Sequence, residues 1–176
     1  MADQAVCRAL DFARAKHAGQ YRFGGSPYIV HPKAVAEDLK RRGYGRDYYI
    51  AALFHDLLED TDAAEAEIEA IGGLAVLRAV KLLTKPKPCE MGAYLEGIAG
   101  DPVARAVKCA DRLDNLRNCG AGSVDFQKKY YAESIRWYRP FMAGTPFEGD
   151  FEAIMSVLEK RLLKKQQDCS EKVDKG

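Results

Sequence analysis

The chain lacks the features that would send it to a membrane, to nucleic acid or into an oxidising compartment. No apolar run approaches the roughly 18 residues of a membrane-spanning helix. Charge of one sign is also missing: 27 Lys and Arg face 26 Asp and Glu, a formal net of +1. That balance gives no electrostatic case for a nucleic-acid or membrane partner, so an anionic ligand must be held by a local site. Cys7, Cys89, Cys109, Cys119 and Cys169 are odd in number, widely spaced and include no C-x-x-C pair. They argue against a disulfide framework and against a zinc knuckle, and for a reducing compartment. Met1-Ala2-Asp3-Gln4-Ala5 has no basic region or long apolar run, so no signal peptide is expected, and the expected location is the cytoplasm. Strand-like alternation, internal repeats and low-complexity blocks are absent as well.

What is present is enough for one domain with a real core: 176 residues, 47% apolar and 30% charged. The periodicity predicts an all-α single domain over residues 1–165, followed by a polar tail over 166–176 that frays. Val6, Leu10, Ala13 and His17 make a helical stripe from Asp3 to about Ala18. Glycines and Pro27 then mark a loop. A second helix runs from Lys33 to Arg42, with Pro32 in its first turn and Gly43 as its stop. Asp47 is expected to cap a third, which runs into His55. Thr61 or Asp62 caps the next, with Glu65 in capping-box register, and Gly72-Gly73 ends it. Leu74 to Leu83 is a further helix, and a short one passes through Tyr94 and Leu95. Asp101-Pro102 starts a helix that reaches Asn118. The last two are expected over Ser123 to about Met142 and over about Asp150 to Lys165.

Three segments carry unusual groups. The densest is His55-Asp56-Leu57-Leu58-Glu59-Asp60-Thr61, which follows the apolar run Ile50-Ala51-Ala52-Leu53-Phe54. On one continuous helix His55, Asp56, Glu59 and Asp60 would fan over roughly 140°. Unpaired buried charge is expensive, so such a cluster at the end of a buried helix calls for a use. The second segment is Tyr28-Ile29-Val30-His31-Pro32. The third runs from Lys108 to Arg117, where Lys108, Asp111 and Asn115 share a helix face by three- and four-residue spacing. Taken singly, these groups have plainer readings: a helix-start hydrogen bonder at His31, a capped helix end at His55-Asp56, a polar seam at Asp111 and Asn115. His17 is expected to brace its loop. Two histidines and two aspartates together make a mixed nitrogen–oxygen site with room for water, which suits manganese or ferrous iron, with zinc open. A metal of that kind acidifies water and polarises a phosphoryl oxygen, the chemistry of phosphate-ester or phosphoanhydride hydrolysis.

The blocks that carry this chemistry resemble a known superfamily. His17-Ala18-Gly19-Gln20 with Arg22, Pro27 to Pro32 with Val35-Ala36, Ala51 to Thr61, and Lys108 to Arg117 occur in the order and spacing of the HD phosphohydrolases. More closely they resemble the hydrolase domain of the RelA/SpoT proteins and the stand-alone small alarmone hydrolases, over about residues 5–160. The resemblance implies that His31, His55, Asp56 and Asp111 hold a divalent metal, usually manganese. Glu59 and Asp60 fall on the family's catalytic acidic pair, which handles the attacking water and the leaving group. Arg22 falls where an arginine stacks on guanine, and Asn115 where an asparagine holds the nucleotide. The implied reaction removes the 3′-diphosphate from (p)ppGpp, giving GDP or GTP and pyrophosphate. One position departs from the pattern: Phe23 stands where the family usually has lysine. Losing one charge-assisted phosphate contact costs about 1.5–3 kcal/mol of binding. Lys108, Arg112 or Arg117 then becomes the candidate source of that charge, and Lys108 is taken as a substrate-binding residue. The change leaves open another phosphorylated nucleotide, such as an adenine alarmone or NADPH. A module that binds an alarmone without hydrolysing it is a third reading, against which the intact Glu59-Asp60 pair argues. The family's synthetase and regulatory domains have no room in this length, so alarmone synthesis is not expected.

Overall fold

Helices account for nearly all the regular structure. The computed structural model describes residues 3–173, with side-chain surroundings through Lys165. Among the described residues there is no strand, only one isolated antiparallel bridge between Tyr21 and Pro27. The all-α class expected from the periodicity is the class observed. No helix among the described residues is long and apolar enough to cross a membrane. By packing the chain divides into two units, Met1–Asp114 and Asn115–Gly176.

The first unit is built from α1 (Gln4–Lys16), α2 (Val30–Arg41), α3 (Arg46–Phe54), α4 (Leu57–Asp60), α5 (Glu65–Leu83), α6 (Met91–Ala99) and most of α7 (Pro102–Asn118). Its centre is α3, which packs against α1, α2 and α5. Ile50, Ala51, Ala52, Leu53 and Phe54 are all buried. A helix apolar all round belongs inside, and two small alanines let neighbouring backbones come close. The helix starts at Gly45, an extended residue, so Asp47 is not its cap but lies in its first turn. There its charge still suits the positive end of the helix. Helix α2 begins at Val30, three residues earlier than the sequence suggests. Pro32 fits because the first turn has no intrahelical partners for its N–H groups. Gly43, at φ 85°, ends that helix region.

The expected run of helix through His55 to Asp60 is interrupted. Helix α3 stops at Phe54, and Asp56 turns the chain at φ −102° and ψ −3° before the single turn of α4. The polar groups of the run are therefore split between two helices rather than fanned over one. Neither Thr61 nor Asp62 caps α5. Thr61 Oγ1 accepts from Ala63 N and donates to Leu57 O. The cap position is Ala64, whose N–H donates to the Glu67 carboxylate at 2.8 Å. The two helices expected on either side of Gly72-Gly73 join as α5, kinked where Gly73 takes φ 81° and ψ 175°. At α7 the Asp101-Pro102 signal holds: Asp101 Oδ1 accepts from Val103 N and Ala104 N, both at 2.9 Å.

The second unit holds the end of α7, a 3₁₀ turn (Cys119–Ala121), α8 (Val124–Glu133), a π turn (Ser134–Tyr138), α9 (Arg139–Met142) and α10 (Glu148–Val173). Helix α10 packs on α8 and α9, burying Phe151, Met155 and Leu158. One helix was expected from Ser123 to Met142. Pro140 explains the break, because it has no N–H to donate to Arg136 and its ring crowds that carbonyl. Helix α10 runs eight residues past the expected end at Lys165, so the polar segment from Gln166 is helical through Val173, and 174–176 lie outside the described residues.

Candidate metal centre

Three elements of the first unit bring His31, His55 and Asp111 together. His31 sits in the first turn of α2, His55 ends α3, and Asp111 lies on α7. All three are buried, and one ligand atom from each lies within 4.8 Å of the others. His31 Nε2 is 3.1 Å from Asp111 Oδ1, and His55 Nε2 is 3.8 Å from the same oxygen. Asp56 completes the group: its Oδ2 is 2.9 Å from His55 Nε2 and 3.9 Å from His31 Nε2. The four positions singled out in the sequence as metal ligands thus converge.

Both rings are oriented from behind. His31 Nδ1 is 2.6 Å from Asp114 Oδ2, and His55 Nδ1 is 2.7 Å from the carbonyl oxygen of Ala52. These oxygens only accept, so each Nδ1–H donates and each Nε2 faces the cluster. His55 Nε2 is buried and makes no hydrogen bond although a carboxylate oxygen lies 2.9 Å away. A buried ring nitrogen facing carboxylates needs positive charge between them, a proton or a metal cation. The imidazoles show the same demand. Burial pulls the His55 ring down, but Asp56 and Asp111 override it and push it up to about 10. His31 is raised in the same way, against burial, by Asp111 and Asp114. The partners move oppositely: burial works against ionisation of Asp111, but Lys108 and the two imidazoles hold its carboxyl well below the ordinary range. Two buried imidazole nitrogens, the buried Asp111 carboxylate and the half-buried Asp56 carboxylate fit a divalent cation.

Two cations sit on this cluster. Lys108 Nζ is 2.9 Å from Asp111 Oδ2, and Arg22 Nη1 is 2.7 Å from Asp114 Oδ2. Both were singled out as substrate contacts, and both have carboxylate partners here. Asn115 follows Asp114 on α7 but belongs to the second unit. Phe23 is 84% exposed on the loop that carries Arg22. That loop is a tight turn, with Arg22 N donating to Ser26 O and Gly25 N to Arg22 O. Gly24 and Gly25, at φ 101° and 86°, allow it.

The acidic pair lies on α4. Glu59 Oε2 accepts from Lys85 N at 3.1 Å. Asp60 lies at the edge, with its carboxyl raised by burial and then by the charges of Asp56 and Glu59. Tyr28, half-buried, joins the two groups. Its hydroxyl donates to Asp56 Oδ2 at 2.6 Å and stands 3.5 Å from Asp60 Oδ2. His17 braces the loop as expected: its Nδ1 is 2.7 Å from Gln20 Oε1, and Gln20 Nε2 donates to the Asp60 carbonyl. Its ring also stacks near Tyr28, with centroids 4.8 Å apart. Sequence reading gave no role to Tyr28 or Asp114, although both lie inside the segments it quoted. The available signal was their presence beside ligand positions, which does not say what they reach.

Comparison with known proteins agrees with this arrangement. The HD domain family matches residues 9–145, and an HD domain implies a divalent-metal site, for which His31, His55 and Asp111 are candidates. A relative from Aquifex aeolicus, guanosine-3′,5′-bis(diphosphate) 3′-pyrophosphohydrolase, is 37% identical over 143 residues, 77% of this chain and 20% of its own length. A probable enzyme of the same name from Synechocystis is 34% identical over 146 residues, 77% of this chain and 19% of its own. The chain thus spans about a fifth of these curated relatives. The solved structure of a metazoan ortholog of SpoT, described as hydrolyzing ppGpp and acting in starvation responses, superposes with a TM-score of 0.79. It has 26% identity and covers 89% of this chain and 96% of that one. Together with the converging His-Asp cluster, the match over most of the chain places this protein in the HD domain family.

Proposed function

We propose that the chain is a manganese-dependent phosphohydrolase that removes the 3′-diphosphate from (p)ppGpp, giving GDP or GTP and pyrophosphate. The observation that carries this reading is the cluster of buried His31, His55 and Asp111 with half-buried Asp56, in a chain related to proteins that bear that activity in their names. Those four residues hold the metal. When bound, a divalent ion supplies a Lewis acid for the phosphoryl oxygens and lowers the pKa of water. Glu59 and Asp60 do the proton work. The raised Asp60 carboxyl takes a proton more readily than an ordinary aspartate and can return it to the departing diphosphate. Arg22 and Lys108 contact the nucleotide. The free cysteines among the described residues suit a reducing cytoplasm.

The test is direct. Purified protein with Mn²⁺ should release pyrophosphate from ppGpp, and Asp56→Asn or Glu59→Ala should abolish release. No release from any of several nucleotides with fresh metal overturns the reading. An active Asp56→Asn or Glu59→Ala variant overturns the roles. One observation favours a second substrate reading: the exposed apolar ring of Phe23 stands where the family's lysine would meet phosphate. Relative kcat/KM over ppGpp, an adenine alarmone and NADPH decides between them.

A further inference from the structure

Besides the Tyr28–Asp56 bond, one oxygen atom links the loop of residues 19–28 to the metal cluster. Asp114 Oδ2 lies 2.6 Å from His31 Nδ1 and 2.7 Å from Arg22 Nη1. His31 and Asp114 are 83 residues apart in sequence, and Arg22 and Asp114 are 92 apart. All three are buried or nearly so, with side-chain exposures of 3%, 12% and 17%. A bond from a carboxylate to the rear nitrogen of a metal-binding histidine fixes the ring's tautomer and direction. Here the carboxylate has its own restraint, because the guanidinium holds the oxygen that holds the ring.

We propose that Arg22 and Asp114 are positioning residues for His31, and that this relay couples metal binding to the loop bearing Arg22. The inference rests on the reading of the cluster as a metal site. Arg22, assigned above to the nucleotide, thereby has a prior task at the metal. Coupling is reciprocal: whatever draws Arg22 away from Asp114 loosens the metal, and metal binding favours the loop with Arg22 turned inward.

Electrostatics and positioning predict opposite signs, which makes the test sharp. Removing a nearby cation should by itself strengthen binding of a divalent cation. If Arg22 acts by fixing Asp114, removing it weakens binding instead. The experiment is a double-mutant cycle on the full chain, read by calorimetric titration with Mn²⁺ alone. Asp114→Ala should weaken Mn²⁺ binding by about 10–100-fold. Asp114→Asn keeps an acceptor oxygen for the ring and should recover part of that loss. Arg22→Gln should weaken binding about fivefold in the natural chain, the low end of measured coupling, and should not weaken it in the Asp114→Ala background. Helical circular dichroism of each variant checks that the fold survives. The proposal is overturned if Arg22→Gln leaves Mn²⁺ affinity unchanged or raises it, if it weakens binding equally in both backgrounds, or if Asp114→Asn and Asp114→Ala bind as the natural chain does. Each of these outcomes leaves the hydrolase reading standing, since that is read from pyrophosphate release. A natural chain that binds no Mn²⁺ at all removes both.

Discussion

The hydroxyl of Tyr28 donates to Asp56 at 2.6 Å, a part-buried bond to a charged group of the kind worth about 1.5–3 kcal/mol. Tyr28→Phe keeps the ring against His17 and removes only that bond. We expect kcat to fall about ten- to a hundredfold at little change in helical content, measured by steady-state kinetics and circular dichroism. An unchanged kcat would mean that the orientation of Asp56 is set elsewhere. Asp60 gives a prediction in pH. Burial, then Asp56 and Glu59, raise its carboxyl above the ordinary range. A group raised on folding favours the fold fully below its unfolded value, and that contribution is lost as pH rises through its folded value. At neutral pH the charged Asp60 therefore works against stability. Asp60→Asn should melt above the natural chain at pH 7, with the difference shrinking below about pH 4. Turnover should meanwhile fall by about a hundredfold or more. A lower melting temperature at pH 7 contradicts the sign. The proposed ligand residues could be singled out in the sequence because His55 and Asp56 adjoin and His31 and Asp111 sit in spaced blocks. Tyr28 and Asp114 were not, since the use of a hydroxyl or a carboxylate depends on what lies across the fold, and no periodicity encodes that.

At the scale of elements, punctuation residues carried most of what the sequence revealed. Asp101 before Pro102 started α7 as expected, and Gly43 closed off α2. Local signals failed where tertiary structure chose among several eligible caps, as at Gly45 over Asp47 and at Ala64 over Thr61. They failed again where Pro140 converted a helix to a π turn, because the pattern of apolar residues continues through it. Gly72 and Gly73 show how much one position matters. A Cβ on Gly73 would meet nothing within 4 Å, but the residue takes φ 81°. A Cβ on Gly72 would stand 2.7 Å from Val76 Cγ1. Gly73→Ala is thus a test of backbone strain alone, costing about 1–2 kcal/mol. The melting temperature should drop by about 2–8 °C, with Mn²⁺ affinity unchanged. A neutral substitution would mean that α5 straightens without cost.

At the scale of the whole molecule, every proposed metal donor lies in the first unit, on α2, on α7 and at the turn between α3 and α4. The division into two packing units is visible only in the structure, because apolar periodicity shows that helices bury a face and not which helices bury it together. The location of the donors makes metal binding a measurable part of the first unit's stability. A ligand at 100 times its Kd that binds only the folded state adds about 2.7 kcal/mol. For a chain of this size that is a rise of about 5–10 °C in melting temperature. Saturating Mn²⁺ should produce that rise, and a chelator should reverse it. The donors must be neutral imidazole and ionised carboxylate, and the histidines hold their protons tightly. Mn²⁺ must displace those protons, so its gain in stability should grow as pH rises from about 6 to 9. Amide hydrogen exchange should slow on Mn²⁺ addition in α2, at the end of α3 and in α7 up to Asp114. Slowing confined to residues outside those stretches would place the metal elsewhere. The absence of any thermal shift would instead mean that the buried imidazoles serve the fold as protonated partners of Asp56 and Asp111.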